Sequence, residues 1–198
     1  MIIQVGRCKD EGKTPENVGR VYQNLRLIRG NAVQPDMEIV QMFDRIVTLL
    51  DAENARYRVI NHPAEGNSER VAEIRGTRVS QGAKAMLCRI KDKPDLLVLA
   101  ILPGDQRVDF KKVAQSVGGR KASFAAPEEA TEKTGCAIGA IPPFSFSPDI
   151  RLVVDPQLLS RHDEIAFNAG RLDTSIVLNS AVYRRIAAPL LVDITGGD

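Results

Sequence analysis

Gly-Ala-Lys-Ala-Met-Leu-Cys-Arg-Ile-Lys at 82–91, Asp-Lys-Pro-Asp at 92–95 and Leu-Leu-Val-Leu-Ala-Ile-Leu at 96–102 run on without a break. Two apolar runs of strand length flank four turn-forming residues, and a link that short can join two strands only antiparallel. The spacing predicts a hairpin across 92–95. On a strand, alternate residues face one side, so Lys84 shares its face with Met86, Cys88 and Ile90. An ammonium heading an apolar row stands either at a rim, with its stem packed and its tip in water, or in a pocket with an anionic partner. The residues alone leave both open; a pocket lysine would suit a phosphate, a carboxylate or a developing oxyanion.

Working upstream, Ser68–Arg75 reads as a short helix closed by Gly76, and Tyr57–Ile60 as a strand ending at Asn61-His62-Pro63. From Met37 to Ala55, Ile39, Phe43, Ile46, Val47 and Leu50 recur at helical spacing, with Asp36 placed to cap the start. Residues 1–36 show no sustained apolar period, and the polar stretch Arg7–Arg20 contains Gly12, Pro15 and Gly19. The expectation is a poorly ordered extension at 1–36 and one folded domain at 37–198.

Downstream, Asp109 is placed to cap a helix in which Phe110, Val113, Ala114 and Val117 share a face, with Gly118-Gly119 ending it. A strand at Arg120–Phe124 leads to a helix with Pro127 in its first turn, Glu128 and Glu129 favouring its N-terminus, and Gly135 as its stop. Further strands follow at Arg151–Asp155, Glu164–Ala169 and Ser175–Asn179, with a turn or short helix from Pro156. Ser180 is placed to cap the last helix and Pro189 to end it. Strands and helices mix without a regular βαβ alternation. This predicts an α+β fold with a curved, mainly antiparallel sheet, mixed and barrel-like, flanked by helices.

Between the second of those helices and the strand at 151 lies Gly-Cys-Ala-Ile-Gly-Ala-Ile-Pro-Pro-Phe-Ser-Phe at 135–146, with no charged side chain. Gly139 permits close backbone approach, Pro142 and Pro143 fix φ and remove two N–H groups, and Phe144 and Phe146 offer apolar walls. Such a segment is either a structural turn or a rigid element that presents main-chain groups to a ligand.

Composition narrows the function classes. With 43% hydrophobic and 26% charged residues over 198 positions, the chain is an ordinary globular protein large enough for a substantial core. No run of membrane length and no signal-peptide pattern is present, so the expected compartment is the cytoplasm. Cys8, Cys88 and Cys136 are scattered and odd in number, which argues against a disulfide framework, and with His62 and His162 they give no zinc spacing. The net charge is +2, and residues 37–198 hold 21 basic and 21 acidic side chains, unlike a duplex-DNA-binding domain. Lys111, Lys112, Arg120 and Lys121 fall close together, as a solvated surface or a local basic patch. No G-x-S-x-G elbow, phosphate loop, G-x-G-x-x-G or H-E-x-x-H occurs. Ser80 stands four residues before Lys84, one too many for a serine–lysine hydrolase pair, and leaves a weak amidase or esterase alternative.

Three motifs in order carry a family resemblance: Gly-Ala-Lys-Ala at 82–85, Gly-Ala-Ile-Pro-Pro-Phe-Ser-Phe at 139–146 and Asp-Glu-Ile-Ala-Phe-Asn-Ala-Gly at 163–170. Over about residues 37–192 the chain resembles the YbaK/prolyl-tRNA-synthetase editing-domain superfamily of aminoacyl-tRNA deacylases, and within it the free-standing YeaK-type branch. The resemblance implies a YbaK-like fold and hydrolysis of the ester between an amino acid and the terminal adenosine of tRNA, with Ser- or Thr-charged tRNA, such as Ser-tRNA(Thr), as substrate. Sister branches act on Ala- or Cys-tRNA(Pro), and a non-catalytic tRNA-binding module of the same fold is a further alternative. It implies no metal or other cofactor, a monomer, and as partners the acceptor end of the tRNA and an aminoacyl-tRNA synthetase, with no DNA and no membrane.

Residue by residue, the family's essential lysine matches Lys84, which positions the acceptor end. Its glycine–proline loop matches Gly139, Ala140, Ile141, Pro142 and Pro143, whose backbone contacts the aminoacyl ester and terminal ribose. Phe144 shapes the amino-acid pocket, and Asn168 and Gly170 belong to the third motif. His62 matches a recurrent pocket edge. Ser175 falls where some branches carry an aspartate, a departure that leaves recognition of the α-amino group unassigned.

Overall fold

The structure, a computed structural model, describes residues 4–5 and 35–196, with side chains from Met42 onward. Most of the 1–36 segment therefore lies outside the described residues; within it only Gln4–Val5 (β1) is described, as an edge strand paired antiparallel with Tyr57–Asn61 (β2).

The hairpin at 82–102 forms as Ala83–Ile90 (β3) and Leu97–Pro103 (β4), antiparallel, with Lys84 opposite Leu102 and Cys88 opposite Val98. Every residue of β4 is buried, and its sequence explains why. Leu97, Leu99 and Ile101 face one apolar cluster, while Val98 and Ala100 face another on the opposite side of the sheet. A strand covered on both faces needs no polar alternation. Each fully buried Leu, Ile or Val contributes on the order of 1.5–3 kcal/mol, so this strand anchors both layers. On β3 the same alternation puts Ala83 and Leu87 in the larger cluster and Cys88 and Ile90 in the smaller, with Met86 packed against the latter. The predicted face of Lys84, Met86, Cys88 and Ile90 is thus the one that meets the smaller cluster.

Crossover connections place β3 beside Ala122–Phe124 (β6), antiparallel, while β4 runs parallel to Ile150–Val154 (β7), and β7 runs parallel to Leu190–Leu191 (β10). The resulting five-stranded order is β10-β7-β4-β3-β6. A four-stranded antiparallel sheet combines β1 and β2 with Thr174–Asn179 (β9) and Glu164–Arg171 (β8), in the order β1-β2-β9-β8. A parallel bridge between Gly82 and Ala166 joins the two sheets at the start of β3. Arg107–Val108 (β5) and Thr195–Gly196 (β11) form a small third ladder. The expected α+β, mixed and mainly antiparallel architecture is present. The two-residue strands were not predicted, because two residues carry no periodicity.

Among the described residues, one long α-helix and five shorter ones flank these sheets. The long helix, Pro35–Ala52 (α1), starts one residue before the predicted Asp36 cap, with proline at its first turn where a missing N–H costs nothing. Met42, Ile46 and Leu50 form its buried stripe, and Phe43 and Leu49 pack beside it. The stripe lies on β8, where Gly170 makes room: at its φ of +80°, a β-carbon would sit 2.7 Å from the Met42 Cγ. Ser68–Arg75 (α2) is capped by Asn67, whose Oδ1 accepts from the N–H groups of Glu69 and Arg70. Phe110–Ser116 (α3), capped by Asp109, turns Val113 and Ala114 onto the smaller cluster as its pattern predicts. Pro127–Thr134 (α4) and Pro156–Ser160 (α5) carry proline in their first turns. In Ser180–Ala187 (α6) the cap is Asn179, whose Oδ1 accepts from Ala181 and Val182, and not the predicted Ser180. Ser180 instead donates to the His162 carbonyl, 2.7 Å away. Among the described residues no helix is long and apolar enough to cross a membrane.

Candidate active site

The start of β3, the 66–68 turn into α2, the 138–141 loop and the middle of β8 enclose a cavity of about 280 Å³. Lys84, Gly139, Ile141 and Asn168 line it, together with Gly66, Ser68, Arg75, Met86, Ile138 and Phe167. Neither aspartate nor glutamate is among its lining residues.

Lys84 is half-buried, and its Nζ donates to the backbone carbonyl of Gln106 at 2.5 Å. Burial lowers its pKa from the ordinary lysine value, Asp105 and Glu69 oppose that shift and Arg107 adds to it. Asp105 offers little more than that field, because Arg161 holds both of its carboxylate oxygens, at 2.8 and 3.0 Å. The lysine therefore has a partially desolvated charge, a carbonyl partner and no ion pair among the described residues.

Asn168 organises the other wall. Its Nδ2 donates to two carbonyls, Glu65 O at 2.8 Å and Gly139 O at 2.9 Å, which uses both amide hydrogens. Its Oδ1 can then only accept, and Ser175 Oγ donates to it from 2.9 Å. Because Ser175 has one hydroxyl proton, His62 Nε2, 2.7 Å from the same oxygen, stands on the donor side of that contact. Ser175 is thus a fully buried relay between His62 and Asn168. What Asn168 clamps is a close meeting of two loops. Gly139 has a φ of +86°, and a β-carbon there would lie 2.8 Å from the Gly66 Cα. The Gly170 N–H adds a bond to Ala140 O at 3.0 Å.

We expect Asn168→Asp to set a carboxylate oxygen against both carbonyls, leaving the acceptors of half-buried Glu65 and exposed Gly139 without that donor. Because water can reach both carbonyls in part, the loss of stability should be about 1–2 kcal/mol. Thermal melts of the variant beside Asn168→Ala check this: the aspartate must be the worse of the two.

Several residues expected at the substrate stand behind the cavity wall. Pro142, Pro143 and Phe144 are buried, because the chain turns inward after Ile141. Phe144 packs edge-on against Tyr183 at 5.3 Å and Phe167 at 5.8 Å between ring centroids, and Tyr183 Oη donates to the Pro143 carbonyl at 2.6 Å. Phe167, from that cluster, is the ring that reaches the cavity. Ala140, Gly170, Ser175 and His62 likewise lie outside the lining and act on it through hydrogen bonds. The sequence reading missed Gly66 and Arg75. Arg75 had no signal beyond its place as the last residue of a short helix, where a basic side chain is ordinary. Ser80 is buried with its Oγ 2.7 Å from His162 Nε2, outside the cavity lining. Cys88 and Cys136 are free and buried, and burial pushes their thiols up to about 12 and about 11, so neither is a thiolate near neutral pH.

Comparison with known proteins agrees with this geometry. A family model described as an aminoacyl-tRNA editing domain matches residues 62–186. The multifunctional Ser/Thr-tRNA deacylase ProXp-y of Escherichia coli K12 is 53% identical over 150 residues, which is 75% of this chain and 90% of that protein. The proline–tRNA ligase of Maridesulfovibrio salexigens is 29% identical over 129 residues, covering 65% of this chain and 21% of the ligase. A solved structure described as a candidate trans-editing enzyme for prolyl tRNA synthetase superposes with a TM-score of 0.67 at 22% identity, over 84% of this chain and all of that one. The lysine strand, the glycine–proline loop and the asparagine of β8 that meet in the cavity all fall within the matched residues, and the chain belongs to the aminoacyl-tRNA editing domain family.

Proposed function

We propose that this protein is a free-standing, cytoplasmic and monomeric deacylase that hydrolyses the ester of mischarged aminoacyl-tRNA in trans, with Ser-tRNA(Thr) or a related Ser- or Thr-charged tRNA as substrate. The observation that carries this is the meeting of Lys84, Gly139 and Asn168 around one small cavity, in a chain 53% identical to a Ser/Thr-tRNA deacylase. Residues 37–198 form the deacylase domain in this reading, residues 1–36 an N-terminal extension that lends Gln4–Val5 to its sheet edge, and a synthetase is the partner that would hand over the tRNA.

An aminoacyl ester is already activated, so hydrolysis needs chiefly an oriented water and stabilisation of the tetrahedral oxyanion. Water attacks the ester carbonyl carbon, the carbonyl electron pair moves to oxygen, and collapse expels the ribose oxygen, which takes up the proton that water gives off. The adjacent ribose hydroxyl of the substrate is placed to assist. Lys84 supplies positive charge, and the clamped Gly66–Gly139 contact supplies a rigid wall along which the ester lies. His62, Ala140, Pro142, Pro143, Phe144, Gly170 and Ser175 serve by holding that wall. A cavity of about 280 Å³ suits a small side chain. Rejection of one extra methylene is expected to be modest, about 1–3 kcal/mol.

The test is a panel of tRNAs charged with Ser, Thr, Ala and Cys, followed for ester loss with catalytic amounts of protein. Turnover on the Ser- and Thr-charged members is expected. Turnover confined to Ala- or Cys-tRNA(Pro) would move the assignment to a sister specificity, and binding without turnover would make the protein a tRNA-binding module. The Ser80–His162 contact favours a second reading, a serine hydrolase. Against it stands the position of Ser80 outside the cavity. Ser80→Ala is expected to retain deacylation within about threefold of wild type while losing one buried hydrogen bond, about 1 kcal/mol; abolished activity with an intact fold would establish the serine reading instead.

A further inference from the structure

Arg75 is the charged group of this cavity for which neither the sequence nor the deacylase mechanism has a use. Most other arginines whose contacts are described meet a carboxylate: Arg58 meets Glu164, Arg89 Glu129, Arg120 Asp92, Arg161 Asp105, Arg171 Asp173 and Arg185 Glu53. Arg75 makes no ion pair among the described residues. Its Nε donates to Val71 O at 3.2 Å and its Nη1 reaches Ser175 Oγ at 3.5 Å, both neutral acceptors. A guanidinium has five N–H groups, and these contacts use two. Nη2 lies 3.9 Å from the place a β-carbon on Gly82 would occupy, at the bridge that joins the two sheets.

Burial brings its pKa down to about 10, so it stays charged near neutral pH while shielded from water. Lys84, two residues beyond Gly82, is also desolvated. Two cations therefore line a small cavity whose lining contains no acid. Desolvated charge without a counter-charge is costly. The chemistry that relieves it is an anionic oxygen, which a guanidinium fork binds well.

We propose that Arg75 binds an anionic oxygen of the substrate beside Lys84, as a second substrate-contacting residue of this site. The assignment rests on the deacylase reading for the identity of that oxygen. A charged tRNA offers two of the same chemistry: a phosphodiester oxygen at the terminal nucleotide, or the oxyanion that forms when water adds to the ester carbonyl. The same two cations repel the α-ammonium of the amino acid, which must lie away from them.

The experiment compares wild type, Arg75→Gln and Arg75→Lys on seryl-tRNA and on 3′-O-seryladenosine, which lacks the phosphate. If the oxygen is the oxyanion, Arg75→Gln lowers kcat on both substrates, by about 30-fold or more on the scale of losing one charged donor. If it is the phosphodiester, KM rises for the RNA substrate alone and the nucleoside ester is unaffected. Arg75→Lys, which keeps the charge, is expected to recover part of either loss. Arg75→Gln with both kcat and KM within about twofold of wild type on both substrates, in place of the tens-fold loss expected of a missing charged donor, overturns the proposal. Inorganic phosphate, followed by phosphorus NMR line broadening, gives an arm independent of turnover: broadening by wild type and its loss in Arg75→Gln and reduction in Arg75→Lys are expected. Equal broadening by all three proteins, or none by wild type, overturns the anion site. Inactivity of wild type on every charged tRNA sinks the deacylase reading, and the phosphate arm then decides Arg75 alone.

Discussion

Lys84→Ala is expected to lower deacylation of the cognate charged tRNA by at least about 100-fold, the scale of removing one well-placed electrostatic contact from a shielded site. The strand fixes where that charge stands. Lys84 pairs in register with Leu102, and the residues that continue its face, Met86, Cys88 and Ile90, are held by the smaller apolar cluster. Truncation removes the ammonium and its bond to Gln106 O but no core contact, so melting should shift little. Rates at saturating tRNA, measured beside melts, separate chemistry from folding. Turnover near wild type in a folded Lys84→Ala protein would falsify the catalytic assignment of this lysine.

Gly139→Val is expected to abolish measurable turnover, and the structure changes the reason. From sequence, a side chain there should fill the space of the ester and leave folding nearly untouched. In the fold, the new β-carbon points at the Gly66 backbone, 2.8 Å from its Cα and 3.2 Å from its carbonyl oxygen. Neither is the movable end of a side chain, so the two loops must separate. A β-branched residue at a φ of +86° adds strain of its own, of order 1–3 kcal/mol. Separation would break the two-carbonyl grip of Asn168, and so the loss of activity should come with a lower melting temperature. Gly139→Ala meets the same backbone with one atom and should show both effects in reduced form. Pro143→Ala should do less, because Pro143 is buried behind the wall and Tyr183 still holds its carbonyl. Full activity in Gly139→Val would place the ester elsewhere.

The local grammar of this chain was readable without its structure. Asp109, Gly76 and Gly135 start or stop helices through bonds that span two to four residues, and Pro127 does so by its fixed φ, so the elements they bound could be placed within a residue or two. The hairpin at 82–102 was equally legible, since its turn chemistry and both apolar runs are contiguous. The motifs at 82–85, 139–146 and 163–170 carried the family, and with it Lys84, Gly139 and Asn168. The exchange of Asn179 for Ser180 as a cap shows the limit: both residues suit the role, and the one that lost it had found His162.

Only the tertiary structure decided how the cavity is lined. Asn168 reaches Glu65 across 103 residues of sequence, and Arg75 reaches Ser175 across 100. Neither contact leaves a periodic trace, because each joins residues that only the folded chain brings together. The inward turn after Ile141 likewise follows from the aromatic cluster of Phe144, Phe167 and Tyr183, which hides residues a linear motif would place at the substrate. Arg75, an ordinary helix-end arginine in the sequence, becomes a cation facing a cavity because, among the described residues, the fold brings no carboxylate into an ion pair with it. Hydrogen bonds and turns between near neighbours are dictated by residue type, whereas a missing partner can be seen only once everything that could have supplied one is in place.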